Sequence, residues 1–332
     1  MLLRNPTLLL LFCGQALYWS CSLIGITLTA LVGVQLAPLN SLATLPLALL
    51  VLGNLLAVQP LSHFMQRHGR RPGLMLGAGG GVLGGLVCAA GVWTGDFLWF
   101  CLGALGIGVY QASAMYYRFA ALEAVDAGRK GRASAYVLAG GVLAALLAPR
   151  LALWSRNALA QPFVGAYLLI AVLALAGLLL MALLREGQAP RPARLAWRDI
   201  GGLLRRPVVR AAIACTATGH GLMILIMNAT PLAMSFCGLP LEQSSRVIQW
   251  HVLGMFLPAF FAGPLVDRIG NRRVALLGAF LLAASAGIAL DGQSVTHFLL
   301  SSLALGSGWN LMLIAGTTLL GEGHAESERG AE

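Results

Sequence analysis

Long apolar stretches of about twenty residues alternate with short polar clusters along almost the whole chain. A helix that crosses a hydrocarbon core about 30 Å thick needs about 20 mostly apolar residues. Ten stretches meet that length: Thr7–Leu31, Ser41–Leu61, Gly73–Val92, Phe97–Ala120, Ala133–Trp154, Pro162–Leu184, Val208–Met234, Val247–Val266, Val274–Leu290 and Thr296–Leu320. The pattern predicts an all-α polytopic membrane helix bundle. The first stretch runs on past signal-peptide length and has no small-residue cleavage site, so it reads as an uncleaved span.

Composition agrees and narrows the class. Of 332 residues, 58% are apolar and 10% charged, against about 45–50% and about 25% in a soluble domain. The 41 glycines fall largely within apolar runs, where small residues let transmembrane helices approach closely. The net charge of +10 does not indicate nucleic acid, because the cations sit in short clusters with no aromatic-interleaved basic face. Six cysteines lie singly, without metal-type spacing, and read as small apolar fillers. Lys and Arg near span ends are held on the cytoplasmic side. With a cytoplasmic amino terminus, every cation except Arg150, Arg156 and Arg246 falls inside, which predicts a multi-pass protein of a bacterial inner membrane.

The longest connection joins the sixth and seventh spans. It divides the chain into an N-terminal six-helix lobe (1–184), a basic cytoplasmic linker (185–207), a four-helix C-terminal lobe (208–320) and a polar cytoplasmic tail (321–332). Within the linker, Trp197, Ile200 and Leu204 fall on roughly one helical face; an interfacial helix on anionic lipid and a solvated linker both fit. Sliding the second lobe back by about 201 residues reveals an internal repeat. Val51-Leu52-Gly53 meets Val252-Leu253-Gly254, Arg67-His68-Gly69-Arg70-Arg71 meets Arg268-Ile269-Gly270-Asn271-Arg272, and Leu105-Gly106-Ile107-Gly108 meets Leu305-Gly306-Ser307-Gly308. Duplicated helical bundles are a common plan for secondary transporters, whose halves rock about a midplane site.

The connection after span eight, Gly263-Pro264-Leu265-Val266-Asp267-Arg268-Ile269-Gly270-Asn271-Arg272-Arg273, resembles the G-x-L-a-D-R-x-G-R-[KR] loop of the major facilitator superfamily. Ser62 to Arg71 is a weaker copy after span two, with Gln66 where the acid is expected. Glycine permits a tight reversal, an acid at a helix end accepts from backbone amides, and arginines hold the turn at the headgroups. Arg67, Gly69, Arg70, Arg71, Asp267, Arg268, Gly270, Arg272 and Arg273 are therefore expected to form an inner gating latch. Tyr117-Arg118-Phe119-Ala120-Ala121, Leu138 to Val142 and Gly308-Trp309-Asn310 are similar to a bacterial subgroup whose substrate is unassigned. Gly141 to Pro149 resembles a motif of proton-coupled antiporters, with Ala148-Pro149 replacing Gly-Pro. The superfamily norm is twelve spans, so the resemblance implies that the last two helices are missing here.

The resemblance also implies that spans one, four, seven and ten line a central cavity. At mid-depth these carry Gln15, Trp19 and Ser22, then Tyr110 and Gln111, then Thr216 and His220, then Trp309 and Asn310. Polar groups are costly in lipid, so they should face protein or a wet cavity. Gln15, Trp19, Tyr110, Gln111, His220 and Asn310 are the substrate-binding candidates; bridging between helices is the structural alternative. No Asp or Glu lies deep in a span, so proton coupling, left open, would need another group such as His220 or His251. Arg150 is a candidate for recruiting an anionic substrate. Gly79, Gly81 and Gly84 match a dinucleotide fingerprint without the strand it requires, and no catalytic constellation or metal site is visible. The expectation is a secondary carrier of a small solute by alternating access, not an enzyme, with no cofactor; the lipid bilayer and the solute are its partners, nucleic acid is not, and the oligomeric state is open. Efflux is the direction the antiporter-like motif implies. The alternative is a non-transporting or incomplete membrane protein.

Overall fold

The computed structural model describes residues 5–125, 136–185 and 204–322, together with Ala133 and Gly202. Helix α1 (Pro6–Leu36) starts where Asn5 Oδ1 accepts from the amides of Thr7 at 3.0 Å and Leu8 at 3.4 Å. Pro6 occupies the first helical position, where its missing N–H costs nothing. At 31 residues, α1 is about 46 Å long, enough to emerge on both sides of a hydrocarbon core.

A 3₁₀ turn (Asn40–Leu42) leads into α2 (Leu45–His68), followed by α3 (Arg70–Thr94), α4 (Phe97–Ala114), α5 (Tyr117–Glu123), α6 (Gly140–Arg156) and α7 (Val164–Ala182). Asp96 caps α4 through the amides of Leu98 and Trp99, at 2.8 and 3.1 Å. Then come α8 (Pro207–Phe236), α9 (Leu241–Phe256), α10 (Ala259–Ile269), α11 (Asn271–Asp291) and α12 (Val295–Glu322). Among the described residues, nine helices are long and apolar enough to cross a membrane.

The eighth predicted span, Val247–Val266, is two helices rather than one. The break falls at Leu257 and Pro258, with Pro258 preceding α10. Proline lacks the amide that would continue the ladder and clashes with the carbonyl four residues back. Pro60, Pro149 and Pro231 nevertheless sit inside continuous helices.

By their contacts the residues form two compact units, Met1–Ala189 with Asn228–Gln249, and Pro190–Met227 with Trp250–Glu332. In the first unit glycine faces set the packing. A Cβ on Gly84 would lie 2.5 Å from the Ile107 nitrogen and 2.6 Å from the Gly103 oxygen of α4. One on Gly85 would meet the Tyr167 oxygen of α7 at 2.9 Å, so successive α3 residues serve two neighbours. Gly53 of α2 abuts the Leu105 carbonyl of α4. The Gly79–Gly84 triplet thus lies within a packed helix, which removes the dinucleotide reading.

The second unit repeats these contacts. A Cβ on Gly254 of α9 would lie 2.8 Å from the Leu303 carbonyl of α12, and one on Gly278 of α11 would lie 2.9 Å from the Gly308 carbonyl. Gly53 on α2 and Gly254 on α9 play matching parts, and so do the glycines that face them, Gly108 of α4 and Gly306 of α12. A buried Thr29–Tyr167 hydroxyl pair at 3.0 Å joins α1 to α7.

Large apolar side chains, including Leu55, Leu83, Leu98, Leu225 and Leu290, are exposed on the outer faces, as a lipid solvent permits. Trp93, Trp99 and Trp154 are exposed at one end of the first unit, and Arg67, Arg70 and Arg71 lie at the other. Aromatic belts mark membrane interfaces.

Phe163, before α7, takes a left-handed backbone with φ 70°. That conformation costs a bulky residue about 1–3 kcal/mol.

The close glycine contacts yield a stability prediction. Gly84→Val should lower the thermal midpoint of the purified protein clearly, consistent with an overpacking penalty of about 1–3 kcal/mol. Gly221→Ala, where an added Cβ meets nothing within 4 Å, should hold or raise it. Equal midpoints for the two variants would show that the α3–α4 approach is not limiting.

Candidate functional site

In the first unit the predicted polar face of α1 joins an aromatic cluster. Tyr18 packs edge-on against Tyr110 of α4 with ring centres 5.5 Å apart at 81°, and against Trp19 at 5.4 Å and 61°. Tyr110 is fully buried, with its hydroxyl directed at Gly177 of α7. Gln111 is half-buried and its Oε1 has no partner. Gln15 is buried, with its Cβ turned toward Gly140 of α6. Trp19 and Tyr110 are thus brought together through Tyr18, with Gln111 next to Tyr110 along α4, while Gln15 packs toward a different helix. Tyr18 shares the face of Gln15, Trp19 and Ser22 at helical spacing, so the periodicity that selects those residues also marks it.

The second unit gathers the remaining candidates. Trp309 Nε1 of α12 donates to His220 Nδ1 of α8 at 3.0 Å. Indole can only donate, so His220 Nδ1 is the acceptor and its proton sits on Nε2. Asn310, next along α12, donates from Nδ2 to the Met255 carbonyl of α9 at 2.7 Å, and its buried Oδ1 has no partner. His251 has the opposite tautomer: a carbonyl only accepts, so Nδ1 donates to Ser302 O at 2.8 Å and the buried Nε2 is left without a partner. Thr216 lies on α8 beside Gly316 of α12.

An unpaired buried acceptor costs about 1–3 kcal/mol. Gln111 Oε1 in the first unit and Asn310 Oδ1 in the second are acceptors of this kind. These are neutral groups beside aromatic rings. They suit an uncharged or weakly charged solute with N–H or O–H donors and a flat apolar surface.

At the turn after α2, Gly69 caps the helix with φ 97° and donates its amide to Met65 O at 2.9 Å. After α10, Gly270 does the same with φ 82°, donating to Val266 O at 2.8 Å. Both take a positive φ, which favours glycine, at positions matched by the repeat. Arg70 then grips Glu123 of α5: Nη2 lies 2.7 Å from Oε1, and Nε lies 3.2 Å from each oxygen. Its guanidinium also lies 5.6 Å from the Tyr116 ring centre. Glu123 supplies the acid that Gln66 does not, a residue sequence reasoning missed because it lies 53 positions away. The side chain of Asp267 lies outside the described residues, as do 186–201 of the linker. Arg150 is exposed on α6.

Membrane-spanning helices in a chain with an internal repeat, with polar groups buried at mid-span, are the plan of a polytopic secondary transporter. The sequence matches the family model described as Major Facilitator Superfamily over residues 10–330. The chain belongs to that family, and so to the transporters rather than the enzymes. It is 39% identical to the riboflavin transporter RfnT of Brucella anthropi across 98% of this chain and 83% of that one. It is 31% identical to the uncharacterized MFS-type transporter YddS of Bacillus subtilis, covering 89% of this chain and 72% of that one. The fold is similar to the xylose transporter XylE from E. coli, with TM-score 0.68 at 16% identity over 95% of this chain and 83% of that one. It is also similar to FucP in the outward conformation, with TM-score 0.58 at 15% identity over 93% and 89% of the two chains.

The Arg70–Glu123 grip is partly exposed, so it should be worth no more than about 1 kcal/mol. A double-mutant cycle with Arg70→Gln and Glu123→Gln, read by thermal unfolding, should give a coupling of about 0.5–1 kcal/mol that shrinks in high salt. Strictly additive effects would remove the ion pair from the latch.

Proposed function

We propose that this chain carries riboflavin, or a solute sharing its flat hydrogen-bonding ring system, across a bacterial inner membrane by alternating access. The observation that carries the reading is 39% identity to a riboflavin transporter over 98% of the chain. The chemistry supports it. A flavin ring has a broad aromatic face of the kind that packs on tryptophan and tyrosine rings, and its imide N–H and ribityl hydroxyls are donors of the kind an unpaired amide oxygen such as Gln111 Oε1 accepts. Gln15, Trp19, Tyr110, Gln111, His220 and Asn310 are assigned to this solute, with Tyr110 acting as the buttress that holds Tyr18 in place.

The cation bias supports a cytoplasmic amino terminus. It puts the two glycine turns with Arg67, Arg70, Arg71, Arg268, Arg272 and Arg273 on the cytoplasmic face, where they act with Asp267 as the gating latch. Proton coupling, where it operates, falls to a group other than a carboxylate, because no Asp or Glu lies deep in a span. His220 is the residue assigned to it: protonating Nδ1 would expel the Trp309 hydrogen bond and so alter the geometry around Asn310.

Expression in a riboflavin-requiring bacterial strain without its own carrier should restore growth at low riboflavin and give saturable uptake of labelled vitamin. Gln111→Ala and Asn310→Ala should each raise KM about tenfold, the loss of about 1.4 kcal/mol per hydrogen bond. His220→Asn should abolish any dependence on an imposed pH gradient. Uptake no greater than in empty-vector cells, with the protein present in the membrane, would refute riboflavin as the solute.

A further inference from the structure

A cavity of about 320 Å³ opens at the tryptophan-belt end of the first unit, remote from the glycine turns. Leu31 of α1 and Leu232 of α8 are among its apolar walls, Gln35 and Ser235 contribute polar groups, and Arg156 and Phe163 also line it. Its size is at the lower end of small-molecule sites.

Arg156 is the unusual member. It is half-buried, and its Nε is shut off from solvent with no hydrogen-bond partner. Its guanidinium lies 5.1 Å from the Phe163 ring centre, a cation–π contact that leaves its N–H groups unspent. No carboxylate among the described residues pairs with it. A charged donor desolvated without an acceptor is unfavourable, so the arrangement stands to gain from an oxyanion arriving from outside the protein.

The backbone shows a second, independent sign. Phe163 is the one non-glycine residue among those described with a positive φ. Its amide donates to the Arg156 carbonyl at 2.7 Å, closing the loop that holds the ring beneath the guanidinium. Strain of this kind in a bulky residue is kept where surrounding structure imposes it and clusters at ligand sites. Here it fixes the one cation of the cavity in place.

We propose that this cavity is a second binding site, separate from the mid-span residues, for a small organic anion: an apolar body between Leu31 and Leu232, its carboxylate or phosphate on Arg156. The site does not depend on the identity of the transported solute. An anionic lipid headgroup carries the same chemistry, and the test separates the two sources.

Full-length protein in uncharged detergent is titrated calorimetrically with 4-methylbenzoate and with its neutral counterpart 4-methylbenzamide. The acid should bind at one site about tenfold or more tighter than the amide, as a charge-assisted bond would give. Arg156→Gln should erase that preference and Arg156→Lys should retain part of it. Leu31→Trp, which fills the cavity with Arg156 intact, should abolish binding and guards against a folding defect in the arginine variants. Phosphatidylglycerol at a few molecules per micelle should leave the titration unchanged. Equal binding of acid and amide, or a preference that survives Arg156→Gln, would overturn the site; displacement by trace phosphatidylglycerol would overturn a soluble occupant. A failed riboflavin assay would leave each of these readings intact.

Discussion

Everything in this molecule follows from the absence of water around its backbone. In hydrocarbon each N–H and C=O must be paired within the protein, so the chain crosses only as helices. Lipid gives helices no hydrophobic reason to associate, and contact must come from close van der Waals fit. Glycine supplies it. Gly84 and Gly106 bring α3 against α4, Gly85 brings α3 against α7, and Gly254, Gly278, Gly306 and Gly308 repeat the scheme around α12. A Cβ at these points would collide with backbone rather than with a side chain that can turn aside, so each unit tolerates little slack.

Rigid units make the few buried polar groups meaningful. Gln111 and Asn310 each have a side-chain oxygen without a partner, and both stand on helices whose position is set by glycine contacts. His220 and Trp309 hold each other in one tautomer across α8 and α12. A secondary carrier has to offer a solute enough hydrogen bonds to replace water and few enough fixed charges to release it, and neutral amides beside aromatic rings meet both demands. The two glycine turns share one backbone geometry but differ in their acid: Gln66 stands where the second copy has Asp267, and Glu123 answers Arg70 from α5.

Hydropathy places nine of the ten predicted spans as continuous helices among the described residues, because a twenty-residue apolar run has one stable fate in lipid. The repeat and the loop signature lead from there to the family. What hydropathy misses is tertiary. Among the prolines within predicted spans, nothing local separates Pro258, which precedes a helix break, from Pro60, Pro149 and Pro231, which sit inside continuous helices. Glu123 looks like an ordinary loop acid until folding brings Arg70 to it. Among outward cations the sequence singles out Arg150, which is exposed, while Arg156, six residues on, is the one held over Phe163. Depth along a helix selects Gln111, His220 and Asn310 as polar groups, yet which of their atoms stay unpaired depends on the neighbouring helices.

The central claim is that the protein moves solute by alternately exposing a bound state to the two sides of the membrane. Counterflow in proteoliposomes tests it most directly. Vesicles loaded with excess unlabelled riboflavin and diluted into trace labelled riboflavin, with no ion gradient, should accumulate label transiently above the outside concentration and then release it. A monotonic approach to equal concentrations would contradict a carrier.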